Sequence, residues 1–81
     1  MDYKAYKRIP NALKAHGMAL GLSQKEVAEK LGFKDKTWIS HWENGDALPN
    51  LISALKLSKL YHVSVNELFS DLYQTISPSK I

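Results

Sequence analysis

Lys36, Thr37, Ser40 and His41 are spaced so that, on a helix, they share one face. Gln24 stands directly after Ser23, where the pattern predicts that another helix begins. Together these side chains offer an ammonium, hydroxyls, an imidazole and a carboxamide. All are hydrogen-bonding groups, and none stands in an arrangement suited to catalysis. No Ser/His/Asp set, carboxylate pair or phosphate-cradling glycine loop is present, so no enzymatic activity is expected. His16, His41 and His62 have neither metal-ligand spacing nor Cys/Glu companions, so neither a metal nor another cofactor is expected. The available chemistry is recognition.

Such residues need rigid elements behind them. Ser23 is an N-cap, and Glu26, three residues on, completes a capping box. Val27, Ala28 and Leu31 supply the buried stripe of that helix, and Gly32 ends it in a left-handed turn. Phe33 and Lys34 form the turn. Asp35 is placed to cap the next helix, whose apolar positions are Trp38, Ile39 and Trp42 and which ends at Asn44-Gly45. Two short helices joined by a tight turn, the second with polar side chains outward, have the outline of a helix-turn-helix, which reads the DNA major groove.

The remaining pattern is helical as well, with no strand-type alternation and no internal repeat. Residues 1–8 read as a basic arm containing Tyr3, Lys4, Tyr6, Lys7 and Arg8. Pro10 suits the first turn of a helix that runs to about Leu20, with Ile9, Leu13, His16 and Leu20 toward one face. Gly17 inside that helix costs about 1 kcal/mol relative to Ala, so close packing is expected there. Asn50 caps a fourth helix reaching about Tyr61, with Leu51, Leu55 and Ser58 on one face, widened by Leu57 and Leu60. Small Ala54 and Ser58 permit a close helix crossing there. Ser64 and Glu67 form a second capping box, opening a fifth helix with Val65, Leu68, Phe69 and Leu72. The expected fold is all-α: a compact five-helix domain over residues 9–73, then a tail over residues 74–81.

At 81 residues the chain is expected to form one domain. A domain of this size buries only about 60–65% of its unfolded surface. Its 44% hydrophobic content is that of a folded protein rather than a disordered one. Cysteine is absent, which excludes disulfides and thiolate metal sites. No apolar run approaches the roughly 20 residues of a membrane span, and the first residues lack a signal-peptide core. A cytoplasmic location is therefore expected. The net charge of +3 is unevenly spread. Residues 1–36 carry eight of the eleven Lys/Arg against four acids, giving +4, while residues 37–81 carry three against four, giving −1. A basic half suits a polyanionic partner, although a solvated lysine surface has the same composition.

The ordered set Gly21-Leu22-Ser23-Gln24, Ala28-Glu29-Lys30-Leu31-Gly32, Ile39-Ser40 and Trp42-Glu43-Asn44-Gly45 resembles the lambda-repressor/Cro-like helix-turn-helix family of phage and bacterial regulators. Pro49, Leu51, Val63-Ser64 and Glu67-Leu68 continue the likeness, which covers roughly residues 9–72. It implies a sequence-specific regulator of transcription, expected to be a repressor, acting as a dimer on double-stranded DNA. By the same likeness Lys36, Thr37, Ser40 and His41 meet base edges. Gln24 and Asn44 meet phosphates by that likeness, and from their own chemistry Lys25, Trp38, Lys7 and Arg8 are expected to assist.

The chain also departs from the family. The turn after Gly32 is one residue longer than usual. Gly17 stands where an Arg often pairs with the glutamate that is Glu43 here, leaving Lys14 or another base to replace it. Asp46-Ala47-Leu48 follows Asn44-Gly45, where basic residues usually touch phosphate, which implies a shallower salt dependence. His62 stands where glycine is usual before Val63.

Several residues admit two readings. Trp38 either packs on the turn or faces the sugar–phosphate backbone. Lys25, Glu29 and Lys30 form a solvated face from which Lys25 can reach a phosphate. His16 is expected half-buried and His62 exposed. Leu60, Tyr61, Phe69, Leu72, Tyr73 and Ile76 either close the monomer core or form a two-fold interface. The rival to a DNA reader is a protein-interaction module, such as an antitoxin or anti-repressor, which the acidic loop at Asp46 and the apolar C-terminal face would suit.

Overall fold

Capping chemistry sets most of the helix boundaries in the computed structural model, which describes residues 6–76. The helices are α1 (Leu13–Ala19), α2 (Gln24–Leu31), α3 (Thr37–Asn44), α4 (Leu51–Tyr61), α5 (Val65–Leu68) and α6 (Ser70–Thr75). Every regular element among the described residues is helical. At the start of α2 the predicted capping box is complete. The Glu26 amide donates to Ser23 Oγ and the Ser23 amide to Glu26 Oε1, each at 3.1 Å. Gly32 closes α2 with φ of 90°, and Lys56 Nζ donates to the Leu31 carbonyl at 3.1 Å, tying α4 to the end of α2. Asn50 caps α4 by accepting from the Ser53 amide at 2.8 Å.

At α5 only half of the expected capping box forms. Ser64 Oγ accepts from the Glu67 amide at 3.1 Å, but the Glu67 carboxylate meets the Ser64 hydroxyl rather than its backbone amide. The expected fifth helix is divided at Phe69, whose backbone (φ −126°, ψ 46°) leaves the helical region while its ring stays buried.

The core is one cluster: Leu13, Val27, Ala28, Leu31, Ile39, Trp42, Leu57, Tyr61, Leu68 and Phe69. Fully burying a side chain of this kind contributes about 1.5–3 kcal/mol. Ile39 and Trp42 are 2% and 4% exposed, so the inner side of α3 is locked while its outer side is free. On α4 the buried side is Ser53, Ala54, Leu57 and Tyr61, whereas Leu51 and Leu55 face outward, opposite to the face expected for them. The spacing is helical in both readings. What decides is the tertiary packing: α4 neighbours α2 and α5, and its Ala54–Leu57 side is the one buried.

The first helix is shorter than its pattern suggests. Ile9 and Pro10 lie outside it, and Leu20 is exposed rather than buried. The residues before α1 serve long-range bonds instead. The Ile9 amide donates to the Gly45 carbonyl at 2.9 Å, and the Ala12 amide to the Leu68 carbonyl at 2.9 Å. Asn11 is the hub of this segment. Its Oδ1 accepts from the Leu13 amide at 3.1 Å, and its Nδ2 donates to the Ile9 and Trp42 carbonyls at 3.0 and 2.9 Å. The Trp42 carbonyl, in the last turn of α3, also accepts from the Gly45 amide at 3.1 Å, so Asn11 supplies its second donor. Tyr6 and Thr75 share a hydroxyl–hydroxyl bond of 2.8 Å, joining the start of the described chain to α6. Tyr3 and Lys4 of the expected arm, and residues 77–81 of the expected tail, lie outside the described residues.

Two left-handed residues carry opposite consequences. Gly45 has φ of 80°, and a Cβ built there would stand 2.6 Å from both the amide nitrogen and the carbonyl oxygen of Ile9. Gly45→Ala therefore combines left-handed strain with a backbone clash. It should lower unfolding stability by at least about 2–3 kcal/mol in urea titration. His62 ends α4 with φ of 58° and is the one non-glycine residue with positive φ among those described. His62→Gly relieves that strain and should raise stability by about 0.5–1 kcal/mol in the same assay, after the added freedom of the unfolded chain.

Candidate nucleic-acid interface

The outer side of α3 begins with an anchored turn. Asp35 Oδ1 accepts from the Thr37 amide at 2.9 Å, and Lys36 occupies the N-cap position without a side-chain cap of its own. Asp35 thus organises the start of α3 from one residue farther out than expected, and the longer turn leaves Lys36 just outside the helix. Lys36, Thr37 and His41 are exposed and Ser40 is half-buried, so the structure brings all four to the side of α3 away from the core. Trp38 is 52% exposed, and its ring meets His41 edge-on at a centroid distance of 5.8 Å. With Phe33, Trp42, Leu48, Asn50 and Ser53 it lines a cleft beside α3, so the ring packs partly toward the turn while about half of it stays open. His41 Nδ1 lies 3.9 Å from Asp46 Oδ2, both groups being about half exposed. Asp46, seen in the sequence only as an acid in place of a base, is thus a neighbour of a proposed reading residue.

Gln24 opens α2, and its Nε2 donates to Glu43 Oε1 at 2.8 Å. The sequence suggested Lys14 as a partner for Glu43. The structure supplies Gln24 instead, and no ion pair to Glu43 is present among the described residues. Lys25 on α2, Asn44 at the end of α3, and Lys7 and Arg8 before α1 are all exposed.

Behind Gln24 and Glu43 is a cleft of about 240 Å³ lined by Lys14, Gly17, Met18, Leu22, Ser23, Gln24 and Glu43. A Cβ on Gly17 would lie 3.4 Å from Tyr61 Oη and 4.0 Å from Glu43 Oε2. The close packing expected at Gly17 therefore admits a methyl group, and a longer side chain would run toward those oxygens. The Tyr61 hydroxyl is buried without a hydrogen-bond partner. Burial, and then the neighbouring Glu43 carboxylate, push its pKa up to about 12.

Sequence reasoning missed Asn11 and the Gln24–Glu43 pair. Asn11 follows Pro10, and that position was absorbed into a helix pattern that begins two residues later. The Gln24–Glu43 bond spans nineteen residues, and no local spacing rule reaches that far. Among the described residues no group of His, Cys, Asp and Glu is placed to hold a metal, and no helix is long and apolar enough to cross a membrane.

Comparison with known proteins places this geometry. A family model described as helix-turn-helix matches residues 17–68. The chain is also similar to the HTH-type transcriptional activator BcrR of Enterococcus faecalis, at 41% identity over 49 residues. That match covers 60% of this chain and 24% of the relative, so the chain spans about a quarter of that protein's length.

Asp35 and Glu26 each hold a helix start through a hydrogen bond that depends on an ionised carboxylate. The hydrogen bonds from Thr37 hold the Asp35 carboxyl below its ordinary pKa, and those from Ser23 do the same for Glu26. Each bond favours the ionised form, so its contribution is full above the ordinary carboxylate range and is lost as pH falls through the folded value. The Thr37 and Ser23 amide resonances should shift together with their carboxylates as pH falls below the ordinary carboxylate range. Asp35→Asn should remove the Thr37 step while leaving the Ser23 step in place.

Proposed function

The chain belongs to the helix-turn-helix family, and from that premise we propose that it is a regulator of transcription that binds double-stranded DNA in a sequence-specific manner. The observation that carries this reading is the outer face of α3. Lys36, Thr37, Ser40 and His41 share a side of a helix whose other side is fixed by Ile39 and Trp42. A rigid helix with free hydrogen-bonding groups suits the major groove, which is wide enough to admit it. In this reading Lys36 donates to guanine O6/N7. Thr37 offers its hydroxyl, or its methyl to thymine. Ser40 and His41 meet the next base edges. Gln24, Lys25, Trp38, Asn44, Lys7 and Arg8 set the register on phosphates and sugars. The +4 balance of residues 1–36 supports the same partner.

Two copies of one chain address a palindrome best, with half-sites about one turn, roughly 34–36 Å, apart. An exposed apolar surface supports pairing: Leu48, Tyr73 and Ile76 rim a cleft of about 230 Å³ between α4, α5 and α6. Repression follows if the bound dimer occludes a promoter. BcrR carries the name of an activator, and the same domain placed beside a promoter rather than across it serves that outcome. The same apolar surface favours the rival reading, in which the domain holds a protein partner as an antitoxin or anti-repressor does.

Selection of bound duplexes from random DNA at moderate salt tests the proposal. A two-fold-symmetric enriched site is expected, and absence of any recovered DNA would move the protein-partner reading ahead. On the enriched site, Lys36→Ala or His41→Ala should cost about 1–3 kcal/mol and relax preference at one position, while Gln24→Ala should weaken all sequences alike.

A further inference from the structure

The Gln24–Glu43 contact joins the first residue of α2 to the last turn of α3, and it is a side-chain bond in a region otherwise held by apolar packing. A glutamine carboxamide has two faces, a donor and an acceptor, and only the donor end can bond a phosphate. An ionised carboxylate accepts and never donates. Glu43 Oε1, 2.8 Å from Gln24 Nε2, therefore selects one of the two orientations of the carboxamide. No other protein acceptor bonds Gln24 Nε2 among the described residues, so its second proton stays unused. Glu43 is itself held in place. It is half-buried, and the Glu43 carbonyl lies 3.5 Å from Asn11 Nδ2. Its Oε2 faces the gap left by Gly17, beside the Tyr61 hydroxyl.

From this arrangement we infer that Glu43 is a positioning residue: it engages one Nε2 proton of Gln24 and so presents the other to a DNA phosphate. The inference rests on the reading of Gln24 as a phosphate contact. Its chemistry runs against simple charge. A carboxylate near a DNA backbone repels it, so removing that charge alone strengthens binding, and most at low salt. A positioning carboxylate has the opposite signature. Its loss weakens binding, and the loss depends little on salt, because Gln24 is neutral and releases no counterion.

A double-mutant cycle on the selected duplex reads the difference. Gln24→Ala and Glu43→Ala should each weaken binding about 5–10-fold, as for one hydrogen bond, and the double variant should be no weaker than either. Glu43→Gln retains an acceptor and should recover most of the affinity. A DNA-free measurement accompanies the cycle. In the free wild-type protein one Gln24 side-chain amide proton should be shifted downfield by the carboxylate, so that the pair is separated by more than in an unbonded glutamine, and this extra separation should vanish in Glu43→Ala. Hydrogen exchange of the Ile39 and Trp42 amides reports whether that variant keeps its fold. If it does not, the Glu43→Gln affinity and the wild-type resonances decide. A Gln24 proton separation no larger in the wild type than in Glu43→Ala, tighter binding by Glu43→Ala, or fully additive losses would each overturn the positioning role. If Gln24→Ala has no effect on any duplex while the wild type shows the extra separation, the phosphate-contact reading fails and takes the inference with it.

Discussion

The crossing of the chain over the end of α3 constrains everything presented by that helix. The backbone at Ile9 lies so close to Gly45 that any side chain there would collide with it, and the Ile9 amide bonds the Gly45 carbonyl. Asn11 then bonds carbonyls of Ile9 and Trp42, so one carboxamide belongs to both strands of the crossing. Without this junction the Gly45 carbonyl would lose its Ile9 partner and the segment before α1 would lack a fixed path. With it, the end of α3 is tied to the segment that leads into α1. The Ala12 amide continues the tie to Leu68 at the end of α5. The helices near the two ends of the described chain thus converge behind α3.

The start of α3 is fixed by different means. Asp35 anchors the Thr37 amide through one exposed hydrogen bond. The middle is held by Ile39 and Trp42 in the core, with Phe33 edge-on to the Trp42 ring at 5.7 Å. A helix of eight residues has little stability of its own. Its orientation is borrowed from three contacts of different kinds: a turn carboxylate, a packed aromatic and a backbone crossing. The outer residues bear none of this burden, which leaves their identity free to follow the surface they meet.

That division explains what could be read from the chain. Ser23, Glu26, Gly32 and Asn50 act through neighbours within a few residues, so local rules found the starts and ends of α2 and α4. Ile39 and Trp42 have the size and spacing of a buried stripe, and they are buried. The outward placement of Lys36, Thr37, Ser40 and His41 followed from that stripe. The α4 face was misjudged because leucines occur on both of its sides, and only the partners of the helix decide which side is covered. Asn11 and the Gln24–Glu43 pair were out of reach for the same reason: each acts through the tertiary fold. The helix-turn-helix likeness named the right scaffold, but its usual partner for Glu43 is missing here, and the replacement was visible only in three dimensions.

An unsatisfied buried group lies behind the same glutamate. The Tyr61 hydroxyl is buried without a partner, a condition that costs about 1–3 kcal/mol where no water relieves it, and Gly17 leaves room beside it. His62, one residue farther, adds left-handed strain. In a domain whose total stability is of the order of 5–15 kcal/mol, these are sizeable sums concentrated at one end of α4. Local rules are broken most often where another requirement competes with packing. The competing requirement here is polar: Glu43 needs room for its carboxylate and a low enough charge density around it to remain bonded to a neutral glutamine. A base filling the Gly17 gap would satisfy Tyr61 and Glu43 together, and would also draw the carboxylate away from Gln24. The gap and the Gln24–Glu43 bond are therefore two consequences of one absence, the missing side chain at Gly17.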